Sequence, residues 1–244
     1  MSRQKSKRFA DSKMMPNIIE MGKENFLSMG GNWKSDFFKN ANPLVIELAC
    51  GKGEYSYGLG KAFPEKNFVG MDIKGARIYV GAKAAEEEGL SNVAFLRGKI
   101  ENLRSFFGWK EVDEIWITFP DPRPRDKDEK KRLTFSRFLK LYQHIVKENS
   151  IIHLKTDNRP LMDYTVESVL AFGGQVLVLT HDLYESEWKH EHVGIQTYFE
   201  EKFTKKGFKI NYLKFRLPVL EKEEGPVQAI FFRKEEMTET KDLS

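Results

Sequence analysis

Residues 44–53 read Leu44-Val45-Ile46-Glu47-Leu48-Ala49-Cys50-Gly51-Lys52-Gly53, an apolar run of strand length that ends in a turn with two glycines. An apolar-periodic stretch from Leu59 to Phe63 follows the turn. This order of patterns predicts a strand, a tight turn and a helix. In parallel α/β sheets such a turn lies at the carboxyl edge of the sheet, where ligands bind.

The same alternation of strand and helix patterns continues along the chain. Further strands are predicted at Phe68–Ile73, Val93–Leu96, Glu114–Phe119, Ser150–Thr156, Gln175–Thr180, Phe208–Leu217 and Val227–Arg233, and helices at Ala76–Glu88, Phe135–Val146 and Leu161–Phe172. Strands that alternate with helices indicate an α/β fold, with a mostly parallel sheet covered by helices on both faces.

The chain has 244 residues, of which 40% are hydrophobic, enough to bury one large core. Residues 43–234 are predicted to form this domain. Residues 1–42 are predicted to be a basic N-terminal arm with a short helix near Met21–Phe26, and residues 235–244 to be a disordered tail.

Two classes of protein are disfavoured by composition. The chain has no run of about 18 apolar residues and no apolar stretch after its polar N-terminus, so a cytoplasmic protein without a membrane span or secretory signal is expected. Cys50 is the only cysteine, which rules out an intramolecular disulfide, and the five histidines lack metal-ligand spacing.

The basic residues are clustered, although the net charge is only +4. One cluster lies between Arg3 and Lys13 and another between Arg123 and Arg132. Such clusters fit an anionic partner, while the alternative is a solvated tail and a solvated loop.

The glycine turn lacks the G-x-G-x-x-G spacing that places a pyrophosphate on a helix N-terminus. It carries instead an acid, Glu47, on the strand before it, and an acid repels a phosphate but suits a cation. S-adenosylmethionine (SAM) has an ammonium and a sulfonium and no phosphate, so the charge favours SAM over NAD. Asp72, at the tip of the second strand, can accept hydrogen bonds from the ribose hydroxyls of SAM or of NAD. The alternative is that Gly51 and Gly53 only make a tight turn.

Two further acids follow predicted strands at the same edge. Asp121 lies between Pro120 and Pro122, which fix its backbone, and Asp157 follows the next strand. Carboxylates at these positions can accept hydrogen bonds from the ring NH and the exocyclic amine of guanine.

Four motifs in this order resemble the bacterial tRNA (guanine-N(7)-)-methyltransferase family, over roughly Pro43 to Arg216. They are Glu47-x-x-x-Gly51-Lys52-Gly53-Glu54, Phe119-Pro120-Asp121-Pro122, Lys155-Thr156-Asp157-Asn158 and Thr197-Tyr198-Phe199-Glu200-Glu201-Lys202-Phe203. The resemblance implies a Rossmann-like class I methyltransferase fold with a seven-stranded sheet. It also implies methyl transfer from SAM to N7 of a guanine in tRNA, at position 46 of the variable loop, by a monomer or homodimer without a metal.

The resemblance also implies the roles of individual residues. Glu47, Gly51, Gly53, Asp72 and Asp121 would bind SAM. Asp121 would be the catalytic residue between SAM and guanine. Arg125, Asp157, Thr197 and Glu200 would bind the tRNA substrate.

Several residues depart from the family pattern. Ala49 replaces the first glycine of the turn, a change expected to cost little because alanine is small. Arg123 replaces a tryptophan, and Lys99 replaces an acid after the third strand. Phe199 replaces a tyrosine, Arg125 replaces a lysine, and Asp126, Asp128 and Glu129 interrupt a basic stretch and are expected to weaken phosphate attraction.

These departures leave two alternatives open. One is a SAM-dependent methyltransferase that acts on another RNA, a protein or a small molecule, and the altered loop after Asp121 supports it. The other is a non-catalytic RNA-binding scaffold, against which the intact acids at Glu47, Asp72, Asp121 and Asp157 argue.

Overall fold

The computed structural model describes residues 11–223 and 225. The described part contains eight strands: β1 (Ile18–Ile19), β2 (Leu44–Leu48), β3 (Asn67–Asp72), β4 (Val93–Arg97), β5 (Val112–Thr118), β6 (Val146–Thr156), β7 (Gln175–Thr180) and β8 (Asn211–Arg216). Residues 11–14 are also helical, and the further α-helices are α1 (Glu54–Ala62), α2 (Gly75–Glu87), α3 (Leu103–Phe106), α4 (Ser136–Ile145), α5 (Arg159–Ala171) and α6 (Tyr198–Thr204).

The strands form one sheet in the order β1-β4-β3-β2-β5-β6-β8-β7. Strands β1 to β6 pair in parallel, and β8 runs antiparallel to both β6 and β7. The strand order reverses at β2, so the carboxyl ends of β3, β2 and β5 lie side by side. The turn after β2 therefore occupies the switch point at which ligands bind in such sheets.

Helices cover both faces of the sheet, as the alternation predicted. Strand β2 shows why: Leu44, Ile46 and Leu48 belong to the core on one face, and Val45 to the core on the other. Helices α3, α4 and α5 contribute to the first core, and α1 and α2 to the second. The central strands are therefore buried on both faces, which accounts for their strongly apolar sequence.

The α/β class is confirmed, but the predicted count of seven strands is wrong for the described residues, which form eight. The additional strand is β1, which is too short for its periodicity to be recognised. The predicted strand Val227–Arg233 lies outside the described residues, as do the tail at 235–244 and the arm up to residue 10.

The segment before β2 packs against the domain. The Trp33 indole is fully buried, donates to the carbonyl oxygen of Phe106 at 2.7 Å and stacks on Phe107. A single 3-10 turn, Glu24–Leu27, stands where the short helix was predicted. The boundary predicted at residue 43 therefore divides residues that share one core.

Candidate active site

The turn between β2 and α1 is built for close approach to a ligand. Gly51 and Gly53 both have positive φ values, +59° and +73°, and a Cβ on Gly53 would lie 2.2 Å from the Phe95 ring. Nothing lies within 4 Å of a Cβ built on Gly51. The turn thus packs tightly on its inner side and leaves its backbone open on the outer side.

Ala49 has a left-handed backbone conformation. Its φ is +57°, in the left-handed region, where a Cβ approaches the following carbonyl oxygen. The expectation that alanine costs little here is therefore wrong, because the cost arises from the backbone conformation and not from side-chain size.

Asp72 connects the tip of β3 to this turn. One carboxylate oxygen accepts from the Gly51 amide at 3.0 Å and the other from the Lys74 amide at 2.8 Å. The side chain is nearly buried but not sealed off, with 8% of the residue surface exposed. Asp72 therefore lies at the open turn, where sequence analysis placed it.

Glu47 lies beneath the turn. One oxygen accepts from the Ser56 amide at 2.9 Å and hydroxyl at 2.7 Å, and the other from the Thr118 hydroxyl at 2.6 Å. Burial raises the pKa of this carboxyl to about 7, although the bonds from Thr118 and Ser56 act in the opposite direction. The residue predicted to bind SAM thus also ties β2, α1 and β5 together.

Asp121 lies on the loop that follows β5, the parallel neighbour of β2. Phe119 bends the chain with a φ of +49° and donates its amide to the Lys155 carbonyl oxygen at 2.8 Å. The Asp121 carboxylate is exposed, pairs with the Arg123 guanidinium at 3.1 Å and accepts from the Arg123 amide at 3.2 Å. The arginine that replaces the family's tryptophan thus orients the predicted catalytic acid.

Asp157 lies at the end of β6, next to the strand that carries the Asp121 loop. Its carboxylate is half-buried, and burial raises its pKa. In the described part of the chain, no other side chain bonds to it. Asn158 instead caps α5 by accepting from the Leu161 amide at 2.8 Å. Asp157 is therefore an acid at the sheet edge whose one hydrogen-bond donor among the described residues is its own backbone.

Thr197 and Glu200, two predicted substrate contacts, form the capping box of α6. The Glu200 amide donates to the Thr197 hydroxyl at 3.1 Å, and the Thr197 amide donates to the Glu200 carboxylate at 3.3 Å. The Glu200 carboxylate is fully buried and also binds the Lys155 ammonium and the Tyr184 hydroxyl. Glu200 therefore holds α6 in place, while its role as a substrate contact stays a prediction.

Arg125, another predicted substrate contact, lies at the start of a 3-10 turn over Asp126–Lys131. Its guanidinium binds the Asp128 carboxylate at 2.6 Å, and Lys131 binds the other oxygen of Asp128 at 2.6 Å. One inserted acid therefore holds two cations of this loop. Asp126, by contrast, is exposed.

A cleft of about 180 Å³ lies where these elements meet. Its walls come from the glycine turn with Glu54, from Thr118 and Phe119 after β5, and from residues 197–199 at the start of α6. Tyr198 packs against the turn. The Lys52 ammonium lies 4.5 Å from the centre of its ring, and the Glu54 carboxylate accepts a hydrogen bond from its amide at 3.4 Å. The carboxylates of Asp72, Glu54 and Glu47 around an open turn fit a cationic nucleoside such as SAM.

Lys155 and Tyr198 belong to this site but were not predicted from the sequence. Lys155 is completely buried at the end of an apolar strand, and a lysine in such a strand was the available signal. Tyr198 is a solvent-exposed aromatic residue in the motif that begins at Thr197. Only the fold brings it next to the turn.

The described residues contain no helix that is long and apolar enough to cross a membrane. Within the same residues, no three His, Cys, Asp or Glu side chains are grouped so that they could hold a metal ion.

Comparison with solved structures agrees with the fold. The 16S rRNA methyltransferase KamB superposes with a TM-score of 0.59 at 14% identity, covering 80% of this chain and 94% of KamB. A variant of the 16S rRNA (adenine(1408)-N(1))-methyltransferase from Catenulisporales acidiphilia was solved with cosubstrate SAM. It superposes with a TM-score of 0.52 at 16% identity, covering 81% of this chain and 93% of its own. At these identities the likeness concerns the fold alone.

Sequence comparison is more specific. The family model described as "Putative methyltransferase" matches residues 41–213. The tRNA (guanine-N(7)-)-methyltransferase of Christiangramia forsetii is 43% identical over 88% of this chain and 99% of its own length. The enzyme of Cytophaga hutchinsonii is 44% identical over 88% of this chain and 98% of its own length. The enzyme of Porphyromonas gingivalis is 49% identical over 83% of this chain and 82% of its own length. With relatives this similar over nearly their whole lengths, the chain belongs to the tRNA (guanine-N(7)-)-methyltransferase family.

Proposed function

We propose that this protein transfers a methyl group from SAM to N7 of a guanine in tRNA, forming 7-methylguanosine. The observation that carries the proposal is that one cleft is lined both by the open glycine turn after β2 and by Phe119, which begins the loop that bears Asp121 after β5. The membership of the family supports the same reaction. A tRNA substrate is also consistent with the predicted location in the cytoplasm.

The cofactor side of the site comprises the turn and the acids around it. SAM, when bound, supplies a methyl group on a positively charged sulfur. The open backbone at Gly51 gives room for it, and Asp72 would accept the ribose hydroxyls. Glu47, once ionised, would attract the ammonium from beneath the turn. These roles rest on the positions of the residues and on the family pattern.

The substrate side comprises Asp121 and Asp157. Both follow neighbouring parallel strands, so both acids lie at the edge of the sheet that carries the cleft. Their carboxylates would accept hydrogen bonds from the ring NH and the exocyclic amine of guanine. These bonds would turn N7 toward the methyl group. The pKa of Asp157, raised by burial, suits a carboxylate that gains its stabilising donors only when substrate binds.

The reaction requires alignment and no general base, because N7 of guanine has a free lone pair at neutral pH. Holding nucleophile, methyl group and leaving sulfur in line supplies about 7–11 kcal/mol. Asp121 would therefore orient the base and stabilise the charge that moves onto it. The Asp121→Asn variant is expected to lose turnover by orders of magnitude while its SAM affinity changes less.

The tRNA backbone would be held by the basic loop around Arg125, together with the arm that begins before the described residues. Both are cationic and lie outside the cofactor turn in sequence. Their contribution is expected to weaken with salt, with a log-log slope of about −0.7 to −0.9 per neutralised phosphate.

The experiment is transfer of labelled methyl from SAM to unmodified bulk tRNA, followed by nucleoside analysis. We expect labelled 7-methylguanosine from the wild-type protein and none from Asp121→Ala, with Asp126→Ala as a control of equal charge change on the same loop. SAM binding without 7-methylguanosine, or 7-methylguanosine formation by Asp121→Ala at the wild-type rate, would contradict the proposal.

A further inference from the structure

Two exposed aromatic rings stand at the entrance of the cleft. Tyr198 and Phe199, the first two residues of α6, are 54% and 50% exposed, although large aromatic side chains are usually buried. Their ring centroids lie 5.7 Å apart, with the planes inclined by 74°. We call this pair the aromatic corner.

The aromatic corner is held in place from several sides. Lys52 lies over the Tyr198 ring, and Glu54 accepts the Tyr198 amide. The capping box of Thr197 and Glu200 fixes the backbone that carries both rings. The two rings are therefore exposed on a segment whose backbone is held by these contacts, and such a segment can present the apolar face of a ring to a ligand.

The corner adjoins the substrate side of the cleft. Thr118 and Phe119, after β5, line the same cleft as Tyr198 and Phe199. Asp72, the predicted ribose ligand, is the last residue of β3, which lies on the opposite side of β2 from β5. Tyr198 and Phe199 therefore line the cleft together with Phe119, which begins the loop that bears the predicted catalytic residue Asp121.

An enzyme that modifies a base inside a folded RNA must take that base out of its stack. The stacking energy lost in this way is regained when the base lies on an aromatic side chain of the protein. Two rings nearly perpendicular to each other suit this task, because a planar purine can lie on one ring while its edge meets the other.

We infer that Tyr198 is the residue on which the target guanine stacks, with Phe199 bordering the base. The inference rests on the proposed function, since it concerns the substrate of the same site.

The experiment compares Tyr198→Ala, Tyr198→Phe and the control Phe208→Ala in the labelled-methyl assay, with SAM affinity measured by calorimetry. Phe208 is equally exposed, at 51%, but packs on Phe203 and does not line the cleft. We expect Tyr198→Ala to lower kcat/KM for tRNA by about 5- to 150-fold, the range reported for loss of one stacked base. Tyr198→Phe keeps the ring and should stay within about threefold of wild type, as should Phe208→Ala.

Wild-type formation of 7-methylguanosine in the same assay tests the proposed function separately. The inference is overturned if Tyr198→Ala leaves kcat/KM for tRNA unchanged, or if Tyr198→Phe loses as much as Tyr198→Ala. It is also overturned if SAM affinity falls as much as kcat/KM for tRNA, because the ring would then hold the cofactor. A thermal melt of each variant identifies any loss that is due to unfolding, and Tyr198→Leu replaces Tyr198→Ala in that case.

Discussion

Lys155 and Glu200 form an ion pair from which solvent is completely excluded, with Nζ 2.6 Å from Oε1 and neither side chain exposed. The Tyr55 hydroxyl accepts from the same ammonium at 2.9 Å, and the Tyr184 hydroxyl donates to the same carboxylate at 2.6 Å. The pair thereby joins the end of β6, two residues before Asp157, to helix α6 beside the cleft. Burial lowers the pKa of Lys155, and the Glu200 charge opposes that shift.

Breaking this pair on one side is expected to destabilise the protein strongly. Glu200→Gln leaves the Lys155 charge buried without its counter-charge, which costs about 3–5 kcal/mol of unfolding free energy. The double variant Lys155→Met/Glu200→Leu removes both charges and should recover most of that loss. Denaturant unfolding of the three proteins measures these differences.

The matched control lies on the same helix. Glu201 pairs with Lys205 at 2.5 Å, but both side chains are more than half exposed. Glu201→Gln should therefore change the unfolding free energy by less than about 1 kcal/mol. Equal unfolding free energies for Glu200→Gln and Glu201→Gln would show that the buried pair stabilises the protein no more than the exposed pair does.

The local patterns around β2 predicted the fold because each one agreed with its neighbours. The apolar runs, the glycine turn and the acid at the tip of β3 all indicate a parallel sheet, and the structure places Gly51 and Asp72 in contact. Strand β1 could not be predicted in this way. Its two residues acquire their strand conformation only by pairing with Phe95 and Leu96 of β4.

The positions of the site residues were easier to predict than their bonding partners. Asp121 and Asp157 could be placed at the sheet edge because each follows a recognisable strand. The burial of Glu200 could not be predicted, because its partner Lys155 is 45 positions away in the chain and the contact depends on how α6 packs. In the same way, the pairing of Asp128 with Arg125 depends on the 3-10 turn that brings them together.

Ala49→Gly is expected to stabilise the protein. The left-handed conformation at Ala49 costs a non-glycine residue about 1–2 kcal/mol, and the extra flexibility of glycine in the unfolded chain offsets part of the gain. We therefore expect a net rise of about 0.5–1 kcal/mol in unfolding free energy, measured by chemical denaturation.

The control for Ala49→Gly is Ala84→Gly, in the C-terminal half of α2. That position has ordinary helical backbone, so glycine there should lower the unfolding free energy by about 1 kcal/mol. Destabilisation of similar size at both positions would mean that the left-handed backbone at residue 49 carries no strain.

The stability of the protein should depend on pH through Glu47. The folded state raises the pKa of this carboxyl from 4.5 to about 7 by burial, so the folded protein holds the proton more tightly than the unfolded chain. Its contribution to stability is therefore fully present below about pH 4.5 and falls as the pH rises to about 7. Above that pH the loss is about 3 kcal/mol.

Glu47→Gln removes this ionisation and should be more stable than the wild type at pH 8, while the two differ less at pH 5. Chemical denaturation at both pH values measures the effect, and the exposed Glu65→Gln provides the baseline. A difference between Glu47→Gln and wild type that is the same at both pH values would contradict the linkage.

The same carboxyl should couple SAM binding to pH. An ammonium bound near Glu47 favours the ionised form, so wild-type affinity for SAM is expected to rise between pH 6 and pH 8. Glu47→Gln should show no such rise. Calorimetric titration at several pH values tests this. If SAM affinity changed with pH in the same way for both proteins, Glu47 would have only its structural role, the hydrogen bonds to Ser56 and Thr118.

Asp128 is expected to limit the affinity of the protein for tRNA. Its carboxylate holds both Arg125 and Lys131 at 2.6 Å, so these two cations are partly neutralised before any phosphate approaches. Asp128→Asn keeps a hydrogen-bond acceptor in the turn and removes the charge. The variant should bind tRNA more tightly at low salt, and its log-log salt slope should become steeper by about 0.7–1.8, the value for one to two additional phosphate contacts.

Asp126→Asn distinguishes this local effect from a change in net charge. Asp126 lies on the same turn and its substitution changes the charge equally, but its side chain is exposed, and its sequence neighbour Arg125 is paired with Asp128. Filter binding at several salt concentrations should therefore give a much smaller change in slope for Asp126→Asn. Equal slopes for the two variants would mean that only the total charge of the loop matters, and that the pairing of Asp128 with Arg125 and Lys131 does not control the tRNA contact.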